Sequence, residues 1–357
     1  MDRPASPYRD LPPRAYWRSA VAERAPLDPG DLYRPRFPVT RDMRIVTAGS
    51  CFAQHVGRAL RTSGFNVMDF EPLPARVRDE TARRYGYRLF SARYGNIYTA
   101  RQLAQLQAEA DGALSPALPV WRKGDRFVDA QRPGVEPDGL ESEALVLRHR
   151  EAHLTCVRKA FRSADLFVFT FGLTEAWCHR DSGTVYPTAP GTIAGSFDPQ
   201  QFAFRNFDVP AVLADFCTFR ETLRQSRPDA RFLVTVSPVP LTATATGQHV
   251  EVASCYSKSV LRAVCGMLTE RFEDVDYFPS FEIITSQNAR GAYYEANLRN
   301  VAPQGVETAM GAFRAAHGIG DAPEPEPDEP RRQRRRRRED RTEDVVCEEV
   351  LLEAFSR

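Results

Sequence analysis

Residues 166–171, LFVFTF, form a continuous apolar run with polar residues on both sides. A strand that shows no in–out alternation is buried on both faces, which is how strands of a parallel sheet read. The surrounding pattern agrees. Short apolar runs at 43–47, 65–70, 232–236 and 275–278 read as further strands. Between them, helical spacing is expected over 51–63, 99–110, 209–226, 256–272 and 303–317. Phe52, Val56 and Leu60 make the apolar stripe of the first of these helices, and Gly64 stops it. Strands alternating with helices predict an α/β fold with a central parallel sheet of about five strands and crossover helices. The binding crevice of such a sheet lies at the carboxyl ends of its strands.

The run 43–47 leads directly into Gly49-Ser50-Cys51-Phe52-Ala53. A strand that ends in Gly-Ser and enters a helix projects the serine hydroxyl from the strand's carboxyl end. The first amides of the helix surround it and can bind an anion or the oxyanion of an acyl-transfer intermediate. Ser50 is therefore a candidate nucleophile, with helix capping as the plainer role for the same residue. Cys51 offers a thiol alternative, because a cysteine at a helix N-terminus is acidified.

Composition excludes several classes. The chain has 357 residues, 42% of them apolar, and a net charge of +1. That charge makes no global electrostatic case for nucleic acid or an acidic membrane. Seven cysteines are scattered without a CxxC pair, which reads as reduced thiols in a cytoplasmic protein rather than disulfides or a zinc site. The first residues carry no apolar core of a signal peptide, and no apolar run reaches the ~18 residues of a membrane span. No metal-binding or nucleotide-binding fingerprint is present, so no metal and no cofactor is expected.

A serine nucleophile needs a base. Of six histidines, His249 follows the polar stretch Thr242–Gln248 after the 232–236 strand, on the rim expected to hold Ser50. It is the first candidate, and His179 the second. His55 reads as structural, and His149, His153 and His317 as solvated on charged helical faces. Glu175 and Glu282 are the candidate acids to orient a histidine.

Several ordered motifs carry a family resemblance: Gly49–Ala53 itself, YGNIYTARQL (94–103), FTFGLTEAW (169–177), VSPVPLTATATGQHV (236–250), YSKSVLRAV (256–264), YFPSFEI (277–283) and CEEVLLEAF (347–355). Through them the chain resembles the GSCFA-domain family, which in turn resembles the SGNH, or GDSL-like, hydrolases. The resemblance implies a flavodoxin-like three-layer α/β/α sandwich with strand order 2-1-3-4-5. It also implies the chemistry of esterases, acetylesterases, lipases or O-acyltransferases, with a small-molecule or glycan ester as substrate. Ser50 then matches the nucleophile of the Gly-Asp-Ser block, whose Asp is absent here. Gly95, followed by Asn96, matches the second block, which helps to bind the oxyanion. Gly172-Leu173-Thr174-Glu175 matches Gly-x-Asn-Asp, with Thr174 in the place of the donor Asn. The terminal Asp-x-x-His block is replaced by Asn297-Leu298-Arg299-Asn300, so the acid and the base are both amides. The alternative is a non-catalytic ligand-binding module that keeps the pocket without that block.

Around the domain at 41–320, residues 1–40 read as an irregular arm packed on it, and 112–145 as a loop-rich insertion. Residues 321–342 read as a disordered linker, Pro/Glu-rich and then Arg-rich, and 343–357 as a C-terminal helix that docks back. Arg331 to Arg338 hold seven arginines in eight positions, a candidate seat for a weak anionic partner. If it is one, affinity for RNA or acidic liposomes should fall steeply with added salt in a titration. Deleting residues 322–342 should then leave the melting temperature nearly unchanged, because this stretch has no apolar surface to bury.

Overall fold

A computed structural model of the chain describes residues 6–74, 76–319 and 347–355, without the side chains at 349 and 350. The Arg-rich run and the rest of 320–346 lie outside the described residues. In chain order come β1 (Ile45–Gly49), α1 (Phe52–Thr62), α2 (Asp79–Arg84) and α3 (Ala100–Ala110). A hairpin of β2 (Val120–Lys123) and β3 (Arg126–Asp129) precedes α4 (Glu143–Ser163) and β4 (Leu166–Phe171). Next are β5 (Glu175–His179), β6 (Val185–Tyr186), β7 (Phe202–Asn206), α5 (Val209–Ser226) and β8 (Arg231–Val236). The last are α6 (Val250–Arg271), β9 (Val275–Tyr277), α7 (Ser280–Thr285), α8 (Pro303–Ala316) and a 3-10 segment, Glu348–Phe355.

The central sheet has four parallel strands in the order β1-β4-β8-β9. Its two faces are buried in different company. Val46, Ala48, Phe167, Phe169, Phe171, Phe232 and Val234 pack with Leu103, Phe161, Phe216, Phe219 and Leu261 of α3, α4, α5 and α6. Ile45, Leu166, Val168 and Leu233 pack with Phe52, Val56 and Leu60 of α1, Ile283 and Ile284 of α7, and Met310 and Phe313 of α8. Each phenylalanine so buried contributes about 1.5–3 kcal/mol. The helices start where a side chain can take an orphan amide. Thr99 accepts from Gln102 N, Ser142 from Leu145 N and Asp208 from Ala211 N.

Several expectations shift. The first strand runs from Ile45 to Gly49, with Met43 in the turn before it. Residues 65–70 do not form a strand. Val67 makes one parallel bridge to Ile45 outside β1, and Phe70 N then donates to Ser91 O, so the chain turns away from the sheet. The 112–145 segment holds the β2–β3 hairpin and the start of α4. Helix α6 begins at Val250 rather than 256. His153 is buried, not solvated, with Nδ1 2.7 Å from Glu71 Oε2. His317 is half-buried against the Phe313 ring, and burial lowers its pKa to about 4. From the N-terminal segment, Tyr33, Phe37 and Val39 join the core beside α8, and Tyr33 Oη donates to Asp276 Oδ2 at 2.9 Å.

The junction of β1 and α1 rests on Gly49, whose φ is +137°. A Cβ there would stand 2.5 Å from Thr170 O and 2.7 Å from Thr170 N of β4. Gly49→Ala is therefore expected to destabilise the protein by about 3 kcal/mol. Gly112, at φ +79° but in open space, should cost only about 1–2 kcal/mol on the same change. Urea unfolding of the two variants checks the difference. Equal losses would mean that the contact with Thr170 is not what requires glycine at 49.

Candidate functional site

The turn at the carboxyl end of β1 holds Ser50 against β4. Ser50 N donates to Thr170 O at 3.1 Å, and Ala53 N donates to Ser50 O as α1 begins. The side chain is buried, and Oγ has no hydrogen-bond partner among the described residues. Thr170 Oγ1, on the adjoining strand end, also lacks one. Such unmet hydroxyls cost about 1–3 kcal/mol each and need an explanation where they occur.

Two further segments close on Ser50. Gly172, just past β4, lies so near that a Cβ on it would stand 2.8 Å from Ser50 Cβ and 3.0 Å from Tyr98 O. Gly172 N and Leu173 N both donate to Tyr98 O, and Ile97 N donates to Gly49 O. This ties residues 95–98 to the ends of β1 and β4. Gln102 of α3 clamps the segment, donating to Asn96 O at 3.1 Å and accepting from Tyr98 N at 3.0 Å. Asn96 is buried, and its Oδ1 accepts from Gln54 Nε2 of α1 at 3.1 Å. Gly95, at φ +69°, gives the turn that presents Asn96.

Helix α6 and the C-terminal segment supply residues that the sequence reading did not single out. Lys258 is buried and donates from Nζ to Gly172 O at 2.6 Å. Ser257 Oγ accepts from Thr174 N at 3.0 Å. Glu348 is buried as well; its Oε2 accepts from Asn96 Nδ2 and, at 2.9 Å, from Tyr98 Oη. Burial raises the pKa of this carboxyl, against the hydrogen bonds from Asn96, a backbone amide and Tyr98 that lower it. The one signal for Lys258 was a charge on the apolar face of YSKSVLRAV. For Glu348 it was an acid inside CEEVLLEAF.

The other candidates lie elsewhere. His249 is exposed and caps α6, accepting from Glu251 N at Nδ1, 3.2 Å away. His179 ends β5 and bonds Ser182 at 3.1 Å. Glu282 is held by Arg262 and by Tyr277 Oη, the latter at 2.7 Å. The Thr174 hydroxyl donates to Asn206 Oδ1 at 2.6 Å. Asn297 Oδ1 accepts from Arg299 N and Asn300 N and so makes a turn, while Asn300 Nδ2 reaches Glu295 at 3.1 Å.

Two cavities flank the Ser50 turn. One, of about 290 Å³, runs between α1 and α8 and is lined by Cys51, His55, Arg299, Asn300 and Cys347, among others. The pKa of His55 falls to about 4, through burial first and then Arg58 and Arg83. The second, of about 240 Å³, lies against the antiparallel sheet β6-β5-β7. Leu173, Trp177, Tyr186 and Phe204 wall it, with Glu348 and Leu352 on one side. Glu175 lines this cavity, accepting from Thr244 Oγ1 at 2.7 Å, and burial raises its pKa. Among the described residues no group of acids, histidines and cysteines could hold a metal ion, and no helix is long and apolar enough to cross a membrane.

Fold and site together define an α/β protein whose central parallel sheet presents a buried serine at its first strand–helix turn. The chain belongs to the GSCFA family, whose model matches residues 44–313. That span takes in Ser50, Asn96, Gly172 and Lys258 but not Glu348. No curated protein and no solved structure matches the chain.

A raised carboxyl pKa makes a stability prediction with a definite sign. The folded state holds the Glu348 proton more tightly than the unfolded chain, whose carboxyl has a pKa of about 4.3. Stability from this group is greatest below that value and is lost as pH rises through the folded pKa. Glu348→Gln should flatten this part of the profile and gain on wild type as pH rises. Melting curves between acid and neutral pH check it; parallel profiles would mean that Glu348 does not sit as described.

Proposed function

We propose that this protein is a serine-dependent ester hydrolase or O-acyltransferase, SGNH-like in its flavodoxin-like fold, acting on a small-molecule or glycan ester. The observation that carries the reading is Ser50 Oγ, buried and, among the described residues, unpartnered where β1 enters α1. In the proposed reaction Oγ attacks the acyl carbon while its proton passes to a base. The tetrahedral adduct collapses by breaking the bond to the alcohol, which leaves with that proton. Water, or an acceptor hydroxyl in transfer, then attacks the acyl-serine by the same steps in reverse.

Asn96 Nδ2 and Tyr98 Oη are the donors assigned to the acyl oxygen, a role suited to fixed neutral dipoles at a dry site. The base assigned is Lys258, in the manner of serine–lysine pairs. It reaches Gly172 O at 2.6 Å, and Gly172 packs on Ser50. His249 does not suit that role, because its ring caps its own helix. A second reading, a ligand-binding module without turnover, is favoured by one observation. Among the described residues no histidine bonds to Ser50 Oγ, and amides stand at 297 and 300.

Ser50→Ala should abolish both turnover of a short-chain acyl ester and labelling by a fluorophosphonate, with the melting temperature unchanged. Lys258→Ala should lower turnover by ~10² or more, the scale of lost general-base catalysis. Wild-type protein that neither hydrolyses activated esters nor takes the label would establish the binding reading instead. Activity that survives in Ser50→Ala and dies in Cys51→Ala would move the nucleophile to the thiol.

A further inference from the structure

We propose that Asn96 Nδ2 and Tyr98 Oη form a seat for the carboxylate of an acyl ligand, and that Glu348 fills this seat as a built-in stand-in that the ligand displaces. The function served by the seat rests on the reading above; the seat itself rests on four observations.

The first is chemical. The buried Glu348 carboxylate is held by an amide and a phenol, both neutral, and among the described residues no cation forms an ion pair with it. Burying an acid on neutral donors is a costly way to anchor a segment, and an apolar side chain would hold better. The pair of donors suits a carboxylate, but a purely structural contact would not need one.

The second is shape. A Cβ on Gly134 would stand 3.0 Å from Glu348 Oε1, and one on Gly95 would stand 3.8 Å away. Glycine backbone at 134 therefore leaves the occupant room that a side chain would take, while Gly95 stands at ordinary contact distance. The third is position. Cys347 lines the cavity beside α1 and α8, while Glu348 and Leu352 line the cavity beside β5 and β7. The C-terminal segment therefore lines both cavities, one of which is also lined by Cys51, next to Ser50, and the other by Leu173, next to Gly172.

The fourth is the shallow hold of the rest of the segment. Leu351 and Phe355 are 48% and 67% exposed, and Leu352 is half-buried. Glu348 is the most deeply buried described side chain of the segment, so a competing carboxylate would act on its deepest contact, while Arg299 Nη2 still reaches Cys347 Sγ at 3.7 Å. A ligand that binds the open form better shifts the population toward it by that difference in affinity.

The experiment uses the full chain and sodium acetate as the probe, with sodium chloride at equal ionic strength as the control. In Glu348→Ala the seat is empty. Acetate at roughly tens of millimolar, a range suited to a weak two-bond contact, should raise the melting temperature of this variant and broaden the acetate methyl signal. Wild type should show neither effect, and Glu348→Ala combined with Asn96→Ala should lose both. Equal responses in wild type and Glu348→Ala, or none in the variant, would overturn the seat. If Glu348→Ala does not fold, Glu348→Gln replaces it; its amide offers the donors one acceptor oxygen, so the same acetate response is expected at smaller size, and its absence overturns the seat.

Fluorophosphonate labelling of Ser50 tests displacement separately. It should be about tenfold faster in Glu348→Ala than in wild type, since the variant is no longer held closed. Slower labelling would overturn the stand-in role. Acetate binding should also persist in Glu348→Ala combined with Ser50→Ala. A failure of the ester reading, in which Ser50 is inert, therefore leaves a different result from a failure of the seat.

Discussion

The site depends on two backbone approaches that leave no room for a side chain. Gly49 stands against the Thr170 peptide, and Gly172 stands against Ser50 and the Tyr98 carbonyl. Together they bring the ends of β1 and β4 and the 95–98 segment within van der Waals reach. The aromatic core between the sheet and α3–α6 stabilises the scaffold, but it does not by itself decide where these three ends meet. That decision is local, and it is made by the absence of atoms. The hydrogen bonds from Gly172 N and Leu173 N to Tyr98 O follow from the approach. So does the placement of Asn96, which the clamp from Gln102 then fixes.

What could be read in advance was whatever a local pattern determines. LFVFTF is apolar on both faces, and a strand with helices above and below it needs that. Helix α5 spans the expected residues 209–226 because Asp208 caps it and Arg227-Pro228 ends it. The 65–70 segment looked like a strand from its apolar content, yet Phe70 N finds Ser91 O rather than a ladder partner. His249 looked like a loop residue. In fact the six residues before Tyr256 continue α6 toward the N-terminus and turn the ring into its cap. His153 looked solvated because its helix is charged; its burial depends on Glu71, far away in the chain. Ser50 could be found because strand, glycine and helix adjoin in sequence. Lys258 and Glu348 could not, because their partners lie 86 and 250 or more residues away.

The groups that meet at the carboxyl end of the sheet are poorly suited to stability. Two hydroxyls without partners among the described residues, a buried lysine and a buried carboxyl cluster there, while the opposite end of the same strands is tied by a carboxylate between two arginines. At that other end Asp165 accepts from Arg44 N, Nε and Nη2 at 2.9–3.0 Å, and these bonds hold its carboxyl well below the usual range. The asymmetry follows the rule that a parallel sheet keeps its crevice at the carboxyl ends. One end of the strands ties the sheet together, and the other carries unmet hydrogen-bonding capacity that a ligand can meet.

The distance in sequence between Glu348 and its partners has a consequence for biosynthesis. Every other element of the site is encoded before α8 ends at Ala316. Synthesis proceeds from the N-terminus at ~5–20 residues per second. The sheet, the Ser50 turn and the Asn96–Tyr98 pair are therefore made several seconds' worth of synthesis ahead of the acid that covers them. The acid that completes the site is thus supplied only after the strands, turns and helices that receive it have been synthesised.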